Sequence, residues 1–481
     1  MDRLHAGVDL GTSRVKVVLA NAEGQVVERH QADIPTSTGP GGEMEQDPSH
    51  WWQALRTALA HCEHAEQITA IGLTGQMQDL VPVVGARPLR RALLYSDVRA
   101  GAQFDRLQYL VSNWEAITAN QQDASCVPAK LGWLAQHEPQ TLQRARHVLL
   151  GSPGYVMLRM TGRAVCDPVT ASTTGLLDVT ARDWSQTVLE ACGTSKELMP
   201  ELVDGAVGEL SAAAAHDLGL TPGIPVVHGM GDAGAATDGL VGSEAGSAYL
   251  HLGTTGWVAG VVDGLPTEPS ATHALVMPGW SSSLRIGSVL SAGAAAEWAR
   301  RSFFEDFGFA ELDQVLSERV LQLDNRPLCL PGLGGERTPV RDAALRGTFV
   351  GVTRSTDPGD LYLATLTGVA MGLRHAADEM GWRQERILLA GGGADSTLWR
   401  QVLADVFDAE VVCGSLPDPG AWSALRAAAR AAGVQPPAPL GESAGQLQVT
   451  EPSFVADQYE ELIGAHRALY DAVAPICQVL S

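Results

Sequence analysis

The feature that most constrains this chain is a motif that occurs twice, half a chain length apart. The segment GVDLGTSRVKVV begins at Gly7, and YLHLGTTGWVAGVV begins at Tyr249. Each reads as an apolar strand, a Gly-Thr turn and a second strand, which is the alternation of a β-meander. A repeat with so long a period predicts a duplicated domain rather than a solenoid. Two similar halves that face each other would enclose a cleft.

The strand after each turn limits the phosphate ligands that the motif could serve. A Walker loop or a dinucleotide fingerprint is followed by a helix, whereas a strand follows both of these turns. Consecutive backbone N–H groups in a glycine turn can still form a nest that binds an anion. We therefore expect both turns to contact phosphate. Their residues are Gly11, Thr12, Ser13, Gly253, Thr254 and Thr255.

Length and charge narrow the function classes. A chain of 481 residues can bury more than one core. Its formal charge of −22 repels nucleic acid and anionic lipid, so neither nucleic acid nor a membrane is expected as a partner.

The seven cysteines form no CxxC pair, which favours reduced thiols over a zinc site. With no leader pattern and no long apolar segment, the expected location is the cytoplasm, and assembly as a homodimer is left open.

Segments outside the two turns indicate an α/β chain. Residues 49–62 read as a helix capped by Ser49, and residues 68–73 as a buried strand. Residues 387–410 read as a strand, three glycines and an amphipathic helix capped by Ser396. Open α/β sheets bind ligands at the carboxyl ends of their strands, so we expect a ligand at these glycines. They do not complete G-x-G-x-x-G, and a dinucleotide is therefore not predicted.

Asp232 stands among glycines and alanines in HGMGDAGAATDG, with no basic residue nearby in the sequence. Its simplest role is to begin or cap the helix that the following alanines predict. The alternative is catalysis, because small neighbours would let a substrate approach and the carboxylate would be free to accept a proton. The two roles can coexist, and the paired Gly-Thr turns favour catalysis.

Asp9 lies between an apolar strand and the first turn. A carboxylate there could hold Mg²⁺, usually through water, beside a phosphate in the turn. It could also do no more than hydrogen-bond its own turn. Lys16, in the strand that follows, is more typical of a solvated strand face than of a phosphate ligand.

Two polar clusters are candidates for binding a polyol. In GQMQD, Gln76 and Gln78 could hydrogen-bond hydroxyl groups while Met77 supplies an apolar wall, although a polar surface loop has the same composition. Asp97 and Arg99 could hold the same polyol, or could form an ion pair and nothing more.

Two further features stay open at this level. Trp298 follows Gly293 on an expected helix and is typical of packing, although a tryptophan near a nucleotide could also pack on adenine. Glu336 and Arg337 are adjacent in the loop GLGGERTP and are expected to form an internal pair. The composition of the loop does not show what chemistry this pair serves.

Taken in order, these stretches resemble the FGGY carbohydrate kinases of the sugar-kinase, Hsp70 and actin superfamily, and within them the xylulokinases. The matching stretches include GVDLGTSRVKVVL, EQDPSHWW, GQMQD, GMGDAGAA, LGTTG, GGERTP and AGGGADSTLWRQVLAD. The resemblance implies an α/β fold of two ribonuclease H-like domains with a central cleft. Residues 1–244 would bind mainly the sugar, and residues 245–481 mainly ATP.

The resemblance also implies roles for single positions. Asp232 matches the catalytic base, Asp9 the acid near Mg²⁺, and Met77 and Gln78 the sugar-contact pair. The candidate ATP-binding positions are Gly11, Thr12, Ser13, Gly253, Thr254, Thr255, Gly293, Gly392, Gly393 and Ser396. The implied reaction is ATP-dependent phosphorylation of a terminal hydroxyl of a ketopentose, with D-xylulose as the first candidate.

Departures from the family pattern fall mainly in the sugar pocket. Xylulokinases usually carry Met-His where this chain has Met-Gln at Gln78, and Trp-Asn where it has Tyr95 and Ser96. The residue after Asp232 is Ala233 rather than Asn, and Thr367 stands in place of a glutamate. Another pentulose, an alditol or a cyclitol therefore stays open as the substrate. A sugar- or nucleotide-binding regulator is the alternative outside catalysis.

Overall fold

The computed structural model describes residues 3–443 and 447–480. Its first half alternates strands and helices up to residue 241. The strands are β1 Leu4–Leu10, β2 Arg14–Asn21, β3 Val26–Asp33, β4 Ser37–Thr38, β5 Met44–Gln46, β6 Ile68–Gly75, β7 Met77–Val84, β8 Arg87–Pro88, β9 Ala92–Leu93, β10 His147–Gly151, β11 Val165–Cys166, β12 Leu177–Asp178, β13 Asp183–Trp184, β14 Glu201–Leu202, β15 Gly205–Glu209 and β16 Pro225–Gly231. The helices are α1 Pro48–Ala60, α2 Gly101–Leu110, α3 Trp114–Thr118, α4 Val127–His137, α5 Pro139–Arg144, α6 Ser152–Thr161, α7 Pro168–Thr173, α8 Gln186–Ala191, α9 Ala212–Leu218 and α10 Asp232–Val241.

The second half repeats the alternation with fewer short strands. Its strands are β17 Ala248–Leu252, β18 Gly256–Asp263, β19 His273–Val276, β20 Ser282–Val289, β21 Leu328–Leu330, β22 Thr348–Val350, β23 Arg386–Ala390, β24 Glu410–Cys413 and β25 Gln448–Thr450. Its helices are α11 Gly293–Phe303, α12 Phe309–Val315, α13 Pro358–Glu379, α14 Thr397–Phe407, α15 Pro419–Ala431, α16 Leu440–Ser443 and α17 Ala456–Leu480.

The main sheets of the two halves share one plan. In the first, β1 pairs antiparallel with β2 and parallel with β6, and β6 pairs parallel with β16. In the second, β17 pairs antiparallel with β18 and parallel with β23, and β23 pairs parallel with β24. The duplication that the repeated motif predicts is therefore present, because each Gly-Thr turn joins the first two strands of its own sheet. The observed class is α/β, as expected.

The helix after the last parallel strand of each half lies at the junction of the halves. α15, which follows β24, packs on β1, β6 and β16 of the first sheet, and α10, which follows β16, packs on α15 and β17. The approach of α15 is close, because a Cβ at Gly7 or Gly72 would collide with its backbone carbonyls. Each half thus supplies a helix to the other, and the predicted boundary after residue 244 stays a prediction.

A buried ion pair joins these two helices. Asp238 of α10 is 0% exposed and accepts hydrogen bonds from Ser423 Oγ at 2.7 Å and Arg426 Nε at 3.1 Å, both on α15. A charge buried this deeply is tolerated only when its partner and hydrogen bonds are in place. The pair therefore fixes the register of α10 against α15, and with it the relative position of the two sheets.

Two local expectations need correction, and two others hold. The first helix begins at Pro48, and its cap is Asp47, whose side chain accepts from the backbone N–H of Ser49 at 2.9 Å. The prolines and glycine of residues 417–420 predict a loop, but α15 begins within this stretch, at Pro419. All seven cysteines are free, as predicted. Within the described ranges, no helix is both long and apolar enough to cross a bilayer.

Candidate active site

Asp232 begins α10, directly after strand β16. The N-cap position is Gly231 and no side chain caps this helix, so the carboxyl of Asp232 is not used up by capping. Its side chain is exposed, and it lies close enough to Asp9 and Asp167 to feel their charges. Desolvation raises the pKa of Asp232 to about 7, and the negative charge of Asp9 adds to the rise. The helix begins where the alanines predicted, and the carboxyl stays available for chemistry.

Asp9 lies near the end of β1, on the first-half side of the same cleft. A Cβ at Gly420, in the first turn of α15, would lie 2.8 Å from its Oδ2, so the carboxylate rests against the start of that helix. Desolvation raises the pKa of Asp9, Lys16 opposes the rise and Asp418 adds to it. Lys16 itself binds Asp418 at 3.1 Å. The lysine therefore links the first sheet to the start of α15.

A cavity of about 580 Å³ is lined entirely by residues of the second half. Six of the candidate ATP-binding residues line it, namely Gly253, Thr254, Gly293, Gly392, Gly393 and Ser396. The turn after β17 and the start of α11 touch here, because the N–H of Gly293 donates to Gly253 O at 2.9 Å. The structure therefore brings together three segments that lie far apart in the sequence.

The remaining turn residues lie outside that lining. Gly11, Thr12 and Ser13 connect β1 to β2, and Thr255 precedes β18. They stand at the equivalent ends of the two sheets. Their contact with phosphate stays a prediction.

Ser396 caps α14 as predicted, accepting from the N–H of Trp399 at 3.2 Å. Its hydroxyl also donates to Asp313 Oδ1 at 2.7 Å, and Asp313 Oδ2 accepts from the N–H of Thr397. Asp313 and Phe309 of α12 line the cavity, and neither residue was predicted from the sequence. No motif marks this short helix, and only its proximity in the folded chain identifies it. Trp298 does not line the cavity and stacks near Phe349 instead.

The Gln-Met-Gln segment lies at the junction of β6 and β7, beside the start of α10. Met77 packs on the backbone that precedes Asp232, since a Cβ at Gly231 would collide with its sulfur. Gln76 is buried, and its amide donates to Gln46 Oε1 at 3.0 Å. Gln78 has a left-handed φ of 63°. Its amide donates to Thr173, to the backbone oxygen at 2.6 Å and to Oγ1 at 2.5 Å.

Asp97 and Arg99 form a saturated pair. Arg99 donates to both oxygens of Asp97, which also accepts from the N–H of Met44 at 2.7 Å. Arg99 binds Glu45 at 2.9 Å and lies over the ring of Trp133. A cavity adjoins Gln78, and neither Asp97 nor Arg99 lines it. The ion pair predicted as one alternative is present, and a direct role in sugar binding stays a prediction.

A cavity of about 530 Å³ adjoins Gln78 between the two halves. The first half contributes Tyr95 and Ser96 to its wall, and the second half contributes His273 and Arg337. The expected pairing of Arg337 with its neighbour is wrong at the side-chain level. Glu336 accepts from the backbone N–H groups of Arg337 and Leu290, both at 2.9 Å, and its burial raises its pKa to about 7. The guanidinium of Arg337 is thereby left for the cleft.

Known sequences agree with this geometry. Residues 4–239 match the N-terminal domain of the FGGY family of carbohydrate kinases, and residues 248–432 match its C-terminal domain. A xylulose kinase of Escherichia coli (strain K12) is 34% identical over 416 residues, covering 84% of each chain. A xylulose kinase of Klebsiella pneumoniae is 33% identical over 416 residues, again covering 84% of each chain.

Solved structures agree as well. The crystal structure of a xyloylose kinase from Brucella ovis is 31% identical, covers 98% of this chain and 100% of its own, and gives a TM-score of 0.87. The crystal structure of a xylulose kinase from Rhodospirillum rubrum is 26% identical, covers 99% of this chain and 100% of its own, and gives a TM-score of 0.88. These similarities confirm the predicted fold class of two ribonuclease H-like domains.

Proposed function

The chain belongs to the FGGY family of carbohydrate kinases and is a phosphotransferase that acts on a sugar; on that premise, we propose that it phosphorylates a terminal hydroxyl of a ketopentose with MgATP. The first candidate substrate is D-xylulose, giving D-xylulose 5-phosphate. The named relatives support this choice, because both are xylulose kinases and match most of the chain.

The observation that carries the proposal is the carboxyl of Asp232, which is exposed, lies near Asp9 and has a raised pKa. A general base works best when its pKa lies near the operating pH, and the pKa of about 7 meets that condition. Asp232 would accept the proton of the sugar hydroxyl as its oxygen attacks the terminal phosphorus of ATP. The neighbours Gly231 and Ala233 carry almost no side chain, so a sugar and a phosphate can both approach the carboxylate.

We assign nucleotide binding to the second half. The 580 Å³ cavity is large enough for a nucleoside, and its wall combines Phe309 and Ala296 with backbone at Gly392 and Gly393. Adenine would lie against the apolar wall, and the N–H groups of the Gly-Thr turn would take the phosphates. Catalysis of phosphoryl transfer rests mostly on positioning and charge stabilisation, which these turns would supply.

Asp9 fits a divalent cation. Its carboxylate faces the same cleft as Asp232, and both have raised pKa values, so a cation would relieve two crowded negative charges. Mg²⁺ prefers such oxygen ligands and often keeps its waters. When bound, Mg²⁺ would neutralise the charge of the ATP phosphates. Asp9 would hold it there through water.

The sugar pocket is where the substrate choice is open. The side-chain amide of Gln78 donates its hydrogen bonds to Thr173, whose Oγ1 also lies 2.9 Å from His273 Nε2. Together with Tyr95 and Ser96, these residues give the acceptor a wall that departs from the family pattern. Another pentulose, an alditol or a cyclitol is therefore the second candidate.

Coupled release of ADP over a panel of pentuloses, alditols and cyclitols tests the proposal. D-xylulose is expected to give the highest kcat/KM. Negligible turnover of D-xylulose beside rapid turnover of another compound would move the activity to that compound. No acceptor-dependent ADP release from any member would overturn the proposed kinase reaction.

A further inference from the structure

The duplication aligns Asp9 of the first half with a residue of different chemistry in the second. When Gly11 is placed on Gly253, Asp9 falls on His251. The folded sheets support this alignment, because the next parallel strand ends at a glycine in the first half, Gly75, and is followed directly by a glycine in the second half, Gly391. A Cβ at Gly75 would collide with Leu10 O, and a Cβ at Gly391 would collide with Leu252 O. His251 thus holds the position at which the first half carries its acid.

The ring of His251 is directed away from the core of its own half. Leu250 and Leu252, its neighbours on β17, are buried in the second-half core. Alternation along a strand places His251 on the opposite face, beside Tyr249, which packs with residues of both halves. The imidazole stacks on Trp257 of β18, with centroids 3.8 Å apart and planes 7° from parallel. The stack fixes the plane of the ring.

The free edge of the ring meets both glycine turns of the nucleotide side. A Cβ at Gly253 would lie 3.3 Å from His251 Nε2, and a Cβ at Gly391 would lie 3.0 Å from Cε1. No hydrogen bond reaches either ring nitrogen from the part of the chain that the structure describes. Burial lowers the pKa of His251 below its usual value, which favours the neutral ring with one N–H to donate.

We propose that His251 binds the nucleotide by donating a hydrogen bond from Nε2 to the phosphates that ADP retains. The inference rests on the proposed use of ATP at this site. A carboxylate at this point, as in the first half, would repel the phosphates, whereas an imidazole N–H attracts them. Its Nε2 lies beside Gly253, which lines the proposed nucleotide cavity, and this indicates the phosphates that stay attached to the nucleoside after transfer.

Binding of ADP and of adenosine to His251→Phe tests this contact. Phenylalanine keeps a ring that can stack on Trp257 but removes the N–H. Loss of a hydrogen bond to a charged group is expected to raise the dissociation constant of ADP about tenfold or more. Adenosine lacks phosphate, so its affinity should stay at the wild-type value. The matched control is His137→Phe, since His137 also stacks on a tryptophan, Trp133, but on an exposed helix face.

His251→Gln is the second variant, for use if the phenylalanine variant does not fold. Its amide can donate, so ADP affinity should stay within about threefold of wild type. Unchanged ADP affinity in His251→Phe would overturn the proposal and leave only a stacking role. Equal losses for ADP and adenosine, or a loss of ADP affinity in His251→Gln as large as that expected for phenylalanine, would also overturn it. Failure of the proposed kinase reaction is scored separately, by acceptor-dependent ADP release from the wild type.

Discussion

The two helices that cross between the halves begin differently, although they hold equivalent places in the duplicated plan. α10 begins with Asp232, an acid open to the cleft, whereas α15 begins with Pro419 and Gly420, which leave room for the carboxylate of Asp9. Both helix starts therefore meet first-half carboxylates. The two halves share the plan of their main sheets, but Asp9 and Asp232 both belong to the first half, whereas the cavity proposed for the nucleotide belongs to the second.

The strongest test of this division is Asp232→Asn. Asparagine keeps the volume and removes the base, so acceptor-dependent turnover should fall by roughly a thousandfold, within the range for general bases. The measurement is kcat in a coupled ADP-release assay. Turnover within about tenfold of wild type would remove Asp232 from the role of base.

The crossing itself is tested by Asp238→Asn. Because Arg426 would keep its buried charge without a counter-charge, the free energy of unfolding should fall by about 3 kcal/mol. Denaturant unfolding measures the change. Glu201→Gln is the matched control, since its pair with Arg163 is largely exposed and should change stability by less than about 1 kcal/mol. Equal effects of the two variants would show that the helices do not depend on their buried pair.

The nucleotide side is tested by Gly393→Ala. The added Cβ would lie 2.6 Å from Leu252 Cβ, so the turn must shift, and crowding of this kind costs about 1 to 3 kcal/mol. The dissociation constant of ADP should rise by about tenfold or more. The KM for the sugar should not change, because the pocket beside Gln78 is untouched. A rise in the sugar KM alone would reverse the assignment of the two halves.

The smallest expected effect is the dependence of kcat/KM on pH. Asp232 can accept a proton only when ionised, and its pKa is raised to about 7. The rate should therefore rise with pH, by about fivefold between pH 6 and pH 7, and level off above pH 8. A profile that is flat from pH 5 to pH 7 would show that no group with a raised pKa limits the reaction.

The sequence predicted the parts of this site that local patterns encode. The Gly-Thr turns, the start of α10 at Asp232 and the Ser396 cap each follow from short motifs. The crossing of α10 and α15 could not be predicted, since it depends on a buried pair between Asp238 and Arg426, distant in the sequence. Asp313 was missed for the same reason. The predicted side-chain pair of Glu336 and Arg337 was wrong, because the carboxylate of Glu336 accepts hydrogen bonds from backbone N–H groups. The composition of the loop does not show such bonds.

Titration of ADP into Asp232→Asn tests whether the base and the nucleotide site belong to different halves. If they do, the dissociation constant for ADP should stay within about threefold of wild type in a variant whose turnover is lost. A dissociation constant that rises in step with the loss of turnover would contradict it, because Asp232 would then belong to the nucleotide site.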